Sequence, residues 1–394
     1  MDRALDGIDV IDLGQVYHGP YCGLMLSYLG ADVVRIEPPD GEPLRGRVES
    51  GEPGPLVFLN SSKDGITLNL KRDRGKELLR ELADEADVLI ENFGVGTMDG
   101  LDLGYESLSE RNPELVYAHG SGYGEHGPYR DLPAMDLTVQ AMGGVMDVTG
   151  FPDAPPTKAG IAVSDFLGGI HLTAGILAAL YQREFTGEGQ FVEVSMHDTV
   201  FPTLASPLGS KFEGREAPPR TGNRHSGLAQ CPYNVYAVEN GYVAIFCIRD
   251  RHWDALVELF DRSELATDPR YETNTERSKR IDEVDGMVSE WVGNCDRDDL
   301  VDRLQSAGVP CAPVKELDEV AADPHLRERG MIEELDHPDF GTIPVPGPPI
   351  RLSESKAPDV EPAPTKGEHN EQVYSERFGL TQAEIEALDA DGVI

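Results

Sequence analysis

Residues Ile8–Glu37 read IDVIDLGQVYHGPYCGLMLSYLGADVVRIE, a strand, a helix and a second strand in direct succession. IDVIDL is a short apolar run ended by a glycine, the pattern of a buried strand. PYCGLMLSYLG predicts a helix. Pro20 falls in its first turn, where a missing N–H costs nothing, and Gly30 closes its last turn. DVVRIE is the second strand. Outward from this unit come ITLNL (Ile66–Leu70), the helix RGKELLRELADEA (Arg74–Ala86) and the strands DVLIEN (Asp87–Asn92) and ELVYAH (Glu114–His119). A long apolar helix begins near Asp165, and the strand GQFVEVSM (Gly189–Met196) follows it. Strand–helix–strand alternation of this kind predicts an α/β fold with a doubly wound, mostly parallel, Rossmann-like sheet and ligands at the carboxyl ends of its strands.

The second half reads differently. EGREAPPRTGNRHSGLAQ (Glu213–Gln230) is loop-rich, and YNVYAVENGYVAIFCI (Tyr233–Ile248) predicts a hairpin turning around Asn240–Gly241. Helical segments run from about Arg251 to Ala307, and beyond Cys311 the chain is extended and Pro-rich. Thr381 and Glu384 have capping-box spacing and predict a short last helix. The expected organisation is a large domain over 1–212, a linker over 213–230, a smaller α+β domain over 231–310, and a return strap with C-terminal helices over 311–394 that packs on the large domain.

GSGYGEHGP (Gly120–Pro128) superficially matches a dinucleotide fingerprint, but Pro128 follows where a phosphate-binding helix would have to open, so an active-site loop is expected. The five cysteines (22, 231, 247, 295 and 311) are scattered without a C-x-x-C pair, which predicts free thiols and no metal site. The start of the chain has no apolar signal segment, and the apolar run after Asp165 is broken by glycines and His171 and is expected to be too short to span a bilayer, so a cytoplasmic protein with no membrane partner is expected. SDFLGGIHLTAGILAALYQRE (Ser164–Glu184) leaves two readings for its leading acid. Ser164 or Asp165 caps the helix, the ordinary reason for such residues at a helix start; or the Asp165 carboxylate is a nucleophile.

Five ordered blocks carry a family resemblance: GADVVRIEPPDGEPLRG (from Gly30), ITLNLKRDRGKELLRELADEADVLIENFGVGTMDGLDLGYESL (from Ile66), SGYGEHGPYRD (from Ser121), APPTKAGIAVSDFLGGIHLTAGILAALYQREFTGEGQFVEVSMHD (from Ala154) and AGVPCAPVKELDEVAADPHLRERGM (from Ala307). Over about Ile8–His369 the chain resembles the class III CoA-transferase, or CaiB/BaiF, family. The resemblance implies that Asp165 is the covalent nucleophile, kept ionised by its helix N-terminus, with Asp136 beside it. It also implies that Val16, Tyr17 and His18 line the pantetheine path, and that Leu68, Lys71, Asn92, Phe93 and Gly94 contact CoA. Coenzyme A and acyl-CoA are then substrates, with no permanently bound cofactor, and the assembly is an interlocked homodimer of ring-shaped monomers.

Some positions depart from the family. Pro38 stands where many relatives have an arginine for a CoA phosphate, so Arg35, Arg45 or Arg72 is expected to substitute. Gly100 replaces another arginine, and NRHSGLAQ replaces a glycine-rich lid. An acyl-CoA racemase of the same superfamily is the main rival, but Met135 stands where that branch has a catalytic histidine and Arg249 where it has a glutamate. A non-catalytic CoA-binding protein is the other alternative.

The chain has 394 residues, 39% of them hydrophobic, enough for two or three domains. Its 34 Lys+Arg against 71 Asp+Glu give a net charge of −37, spread over the whole length, and only 9 of the basic residues are lysine. No basic stripe suggests a nucleic-acid partner. The acid coat resembles that of proteins adapted to molar salt, where the Debye length is about 3 Å and self-repulsion is screened. In that context Arg249, Arg224 and His225, in segments expected to face the nucleophile, suit a second carboxylate on the acyl group. Succinyl-CoA as donor and a small dicarboxylate such as mesaconate as acceptor are the expected substrates. The melting temperature in molar KCl is expected to lie well above that in dilute buffer; equal values in a salt series would remove the basis of this reading.

Overall fold

A computed structural model describes residues 3–48, 51–337, 340–356 and 358–394. Its contacts divide into two compact units: residues 1–142, 160–200 and 321–394 form the first, and 143–159 with 201–320 the second.

The first unit is built on six parallel strands: β1 (Asp9–Asp12), β2 (Asp32–Glu37), β3 (Asp64–Thr67), β4 (Val88–Glu91), β5 (Val116–Ser121) and β6 (Phe191–Ser195). Their order is β3-β2-β1-β4-β5-β6, so the strand order reverses between β1 and β4, where a doubly wound sheet opens a crevice. The strands are apolar on both faces because helices cover both. On one face Val10, Val33, Val88, Ile90, Val116 and Ala118 pack with Cys22, Leu26, Leu172 and Ile176. On the other, Ile11, Val34, Ile36 and Leu89 pack with Leu78, Leu79, Val373 and Tyr374.

The His18–Leu29 helix ends on Gly30, whose φ of 108° turns its N–H back onto Leu26 and Ser27 carbonyls. The apolar helix from Val163 to Thr186 is 24 residues long, longer than the sequence suggested and, by length and composition alone, able to cross a bilayer. It is instead a core helix, burying Leu172, Ile176, Ala179 and Leu180 while leaving Ile170, Tyr181 and Phe185 exposed. Gly168 and Gly169 let it lie against the His18–Leu29 helix: a Cβ on Gly168 would sit 2.7 Å from the His18 ring, and one on Gly169 2.9 Å from the His18 carbonyl.

The second unit carries the hairpin β7 (Tyr233–Val238) and β8 (Gly241–Phe246), with β9 (Cys311–Pro313) beside β8. Val238 pairs with Gly241, so the two turn residues are Glu239 and Asn240, one position earlier than expected. Helices Asp250–Leu259, Ile281–Val292 and Arg297–Ser306 bury Trp253, Leu256, Val288 and Leu304 against this sheet. Its boundary lies at 200/201 rather than 212, because the Ala205–Phe212 helix packs on the turn at Ser226–Leu228. It runs to Val320 rather than 310, because β9 completes its sheet.

Residues 321–394 return to the first unit. The return is less extended than expected. It includes the helix Pro324–Glu328, capped by Asp323, and an antiparallel hairpin of β10 (Ile332–His337) and β11 (Gly341–Pro346). The Asn370–Phe378 helix docks on β3, where the Tyr374 hydroxyl donates to the Thr67 carbonyl at 2.7 Å. In the last helix, Gln382–Ala390, the Glu384 carboxylate accepts the Thr381 N–H at 2.8 Å, as the capping-box spacing predicted.

At the carboxyl end of β1 the Lys63 ammonium is fully buried, bonded to Asp12 Oδ2 at 2.8 Å, the Pro20 carbonyl at 2.8 Å and Asn60 Oδ1 at 2.9 Å. Burial favours its neutral form and Asp12 opposes that. Lys63→Met leaves Asp12 buried without its cation and is expected to destabilise the protein by about 3–5 kcal/mol, with part of the loss recovered by adding Asp12→Asn. Denaturant titration in high salt checks both; a single variant within 1 kcal/mol of wild type contradicts the role given to the pair.

Candidate active site

Asp165 occupies the first turn of the Val163–Thr186 helix and is 8% exposed. Neither Ser164 nor Asp165 caps that helix. The N-cap position is Ala162, which has no side chain able to cap. The cap comes from elsewhere: Asp136 Oδ1 accepts the Ser164 N–H at 2.9 Å. Asp136 is held by Gln140, whose Nε2 donates to its Oδ2 at 2.7 Å. The same amide reaches the Ile161 carbonyl at 3.3 Å, so it ties Asp136 to the segment entering the helix.

Burial, reinforced by the Asp136 charge, pushes the Asp165 carboxyl up to about 7. The helix N-terminus favours the charged form, while burial and the like charge of Asp136 act against it. A carboxylate in this setting is poorly solvated when charged. It is a stronger nucleophile per ionised molecule than one in water, and its ionised fraction changes across neutral pH.

The loop after β1 runs from Gly14 to Tyr17 and is held by three acceptors in register. Gly14 N–H donates to Asp12 Oδ1 at 2.8 Å, Gln15 N–H to Asn92 Oδ1 at 2.7 Å, and Val16 N–H to Glu42 Oε2 at 3.0 Å. Asn92 Nδ2 also donates to the Gln15 carbonyl at 3.0 Å. The chain then doubles back so closely that a Cβ on Gly14 would lie 2.7 Å from the Gly19 backbone. Tyr17 emerges with its ring centroid 6.2 Å from that of Phe166, the neighbour of Asp165. His18 is buried between Gly120 and Gly168, with no partner for Nε2; burial lowers its pKa to about 4 and keeps it neutral.

A cavity of about 570 Å³ lies at the carboxyl ends of β1 to β4. Of the residues expected to contact CoA, Leu68, Lys71 and Phe93 line it, together with Gly14, Gln15, Glu37, Pro38 and Glu42. Asn92 does not; its amide is engaged by Gln15, a role that strand-end position alone could not disclose. Gly94 is exposed beyond the wall.

Arg35 is corrected as a phosphate ligand. It is 1% exposed, with Nη1 3.5 Å from Glu37 and Nη2 3.4 Å from Glu42. Arg45 binds Glu37 at 2.7 Å and also pairs with Glu52. Arg72 is exposed and is not part of the wall. Among the described residues, Lys71 is therefore the exposed cation on the cavity lining. Glu42 and Gln140 escaped the sequence reading because a single Glu in a Pro/Gly loop and a Gln on a helix carry no local signal.

In the second unit Arg249 is exposed at the start of the Asp250–Leu259 helix, and His225 stands edge-on to Tyr233 at 5.5 Å. Arg224 is committed to Asp285 at 2.7 Å and Asp282 at 2.8 Å, so its charge is spent within the unit.

Comparison with known proteins identifies the family. A model of CoA-transferase family III matches residues 5–370. The chain is 38% identical to a formyl-CoA:oxalate CoA-transferase of Streptomyces coelicolor, over 100% of this chain and 99% of that one. It is 36% identical to a succinyl-CoA:mesaconate CoA-transferase of Haloarcula marismortui, over 95% and 96%. The crystal structure of a CAIB/BAIF family protein from Brucella suis superposes with a TM-score of 0.85 at 34% identity, covering 96% of this chain and 100% of that one. The chain belongs to CoA-transferase family III, and it is an enzyme of that class.

Proposed function

We propose that this enzyme moves CoA from succinyl-CoA to a small dicarboxylate such as mesaconate, with Asp165 as the covalent nucleophile. The observation that carries the nucleophile is the buried Asp165 carboxyl beside Asp136, one residue from the Phe166 ring that meets Tyr17 of the cavity loop.

In the proposed sequence the Asp165 carboxylate attacks the thioester carbonyl, the C–S bond breaks, and CoA leaves as thiolate from a mixed anhydride. The thiolate then attacks the Asp165 carbonyl and expels the donor acid, leaving an aspartyl-CoA thioester. The acceptor carboxylate attacks that thioester, and the released thiolate attacks the acceptor carbonyl of the new anhydride. Acyl-CoA product leaves and the Asp165 carboxylate is regenerated. No electron is gained or lost, and the thioester free energy is conserved.

Lys71, exposed on the cavity lining, is the proposed partner of a CoA phosphate. The proposed acceptor class is supported by the acids in the relatives' names, oxalate and mesaconate, which are both dicarboxylates. Met135, half exposed beside Asp136, has no titratable group, which disfavours the racemase reading. We also propose a cytoplasmic homodimer, interlocked as the resemblance implies; the exposed Ile170, Tyr181 and Phe185 on one helix support a protein partner there.

Asp165→Asn is expected to cut CoA exchange by orders of magnitude and to abolish hydroxylamine trapping at that position. Exchange near the wild-type rate in fresh, mass-checked protein would remove Asp165 as nucleophile. A screen of succinyl-, formyl- and acetyl-CoA against oxalate, mesaconate and monocarboxylic acids fixes the substrates; in the same assay Lys71→Ala should raise KM for acyl-CoA with kcat retained. The wild-type rate should rise with pH through about 7 as Asp165 ionises. Stability carries the opposite sign. The folded carboxyl titrates above its unfolded value, so ionising it costs the fold nothing at low pH and the full amount above about pH 7. That cost is at most roughly 4 kcal/mol, so Asp165→Asn should melt higher than wild type at pH 8, by a margin that shrinks toward pH 5. Light scattering in molar salt tests the dimer: a monodisperse, active monomer contradicts it.

A further inference from the structure

Val16 has a φ of 64°, in the left-handed region. A β-branched residue is a genuine outlier there, because its Cβ crowds the neighbouring carbonyl. Such a conformation is costly and persists only where the surroundings over-determine it. Here the surroundings are the three side chains that take the N–H groups of Gly14, Gln15 and Val16. Two of the three have other work. Asp12 also holds buried Lys63, and Asn92 grips Gln15 through both its backbone groups.

The third, Glu42, is 3% exposed. Its Oε2 accepts the Val16 N–H at 3.0 Å, and its Oε1 faces Arg35 Nη2 at 3.4 Å. Oε1 makes no aligned hydrogen bond, and neither do Arg35 Nε and Nη2. Burying a loosely paired carboxylate and guanidinium is an expensive way to satisfy one amide. Burial raises the Glu42 pKa and Arg35 only partly offsets this. The expense falls where the strained loop lies between two parts of the site: Gly14 and Gln15 line the cavity, and Tyr17 meets Phe166 beside Asp165.

We propose that Glu42, braced by Arg35, is a positioning residue for CoA transfer: it holds Val16 in the left-handed conformation that fixes the loop between the cavity and the nucleophile. The proposal rests on the reading of Asp165 as nucleophile and of the cavity as the CoA site. Glu42 also lines the cavity, but the role proposed for it is exerted through Val16, whose N–H its Oε2 accepts. Its loss therefore misplaces the thioester relative to Asp165 while leaving the far end of CoA its contacts.

The test compares Glu42→Ala, Glu42→Gln and Val16→Gly with wild type in high salt, by steady-state CoA exchange and by calorimetric titration with CoA alone. Glu42→Ala is expected to lose tenfold or more in kcat with CoA affinity changed by less than threefold. Glu42→Gln keeps an oxygen for the Val16 N–H and is expected to recover most of that loss. Val16→Gly removes the steric strain, so it should melt at or above the wild-type temperature while kcat falls severalfold, a combination that a merely structural role would not produce.

A kcat within twofold of wild type in Glu42→Ala, or CoA affinity lost with kcat retained, overturns the proposal. Should Glu42→Ala not fold, Val16→Gly decides alone, and unchanged kcat there overturns it. A crystal structure of Glu42→Ala in which Val16 keeps its positive φ overturns it without reference to activity. Asp165→Asn, measured alongside, separates the two readings. If that variant exchanges CoA normally, the nucleophile reading fails and takes this proposal with it; if it is inactive while Glu42→Ala is normal, only the role of Glu42 fails.

Discussion

The buried pair of Asp12 and Lys63 organises the first unit. One carboxylate at the end of β1 binds Lys63 through Oδ2 and the Gly14 N–H through Oδ1. The same ammonium takes the Pro20 carbonyl from the first turn of the next helix and Asn60 from the segment leading to β3. A Cβ on Gly23 would sit 2.4 Å from Asp12 Oδ2, so the helix packs directly on the carboxylate. Two opposite charges withdrawn from water attract strongly but repay their desolvation only with good geometry and further hydrogen bonds. Here every additional bond goes to backbone or side chain of a different segment. The pair contributes position: it fixes where the first helix begins relative to the sheet, and so where the Gly14–Tyr17 loop leaves it.

The candidate site is costly for the same reason. Asp136 and Asp165 are like charges at the start of one helix, yet Asp136 is spent on the Ser164 N–H and Asp165 has no hydrogen-bond donor among the described residues. A carboxyl that resists ionisation is a penalty to the fold once it is charged, and in the proposed reaction its poorly solvated charged form is the attacking group. The left-handed Val16 adds backbone strain next to it. Both features cluster around the carboxyl ends of the strands, where the reversal of strand order opens the crevice.

The parallel sheet was legible because its strands are short apolar runs separated by amphipathic or capped helices; Pro20, Gly30 and the Thr381–Glu384 spacing marked their helix ends correctly. The return after Cys311 was less legible: its β10–β11 hairpin lacks a strong turn dipeptide, and its prolines read as extended chain. Within the site, Asp165 could be singled out through its sequence block, and Leu68, Lys71 and Phe93 of those blocks line the cavity.

Sequence by itself determined the class of fold, the order of its elements and the residue types available for chemistry, because periodicity, turn residues and helix signals act over a few neighbouring positions. Tertiary structure alone decided which charges are free. Arg35 and Arg45 are paired with Glu37 and Glu42 or Glu52, Arg224 is paired with Asp282 and Asp285, and Lys71 is left on the cavity lining. It also decided that Asp136, 28 residues from Ser164 in the chain, supplies the cap that local sequence assigned to Ser164 or Asp165. Burial and pairing depend on which segments meet, and an ion's pKa and availability follow from its neighbours in space, which a linear pattern of residues does not encode locally.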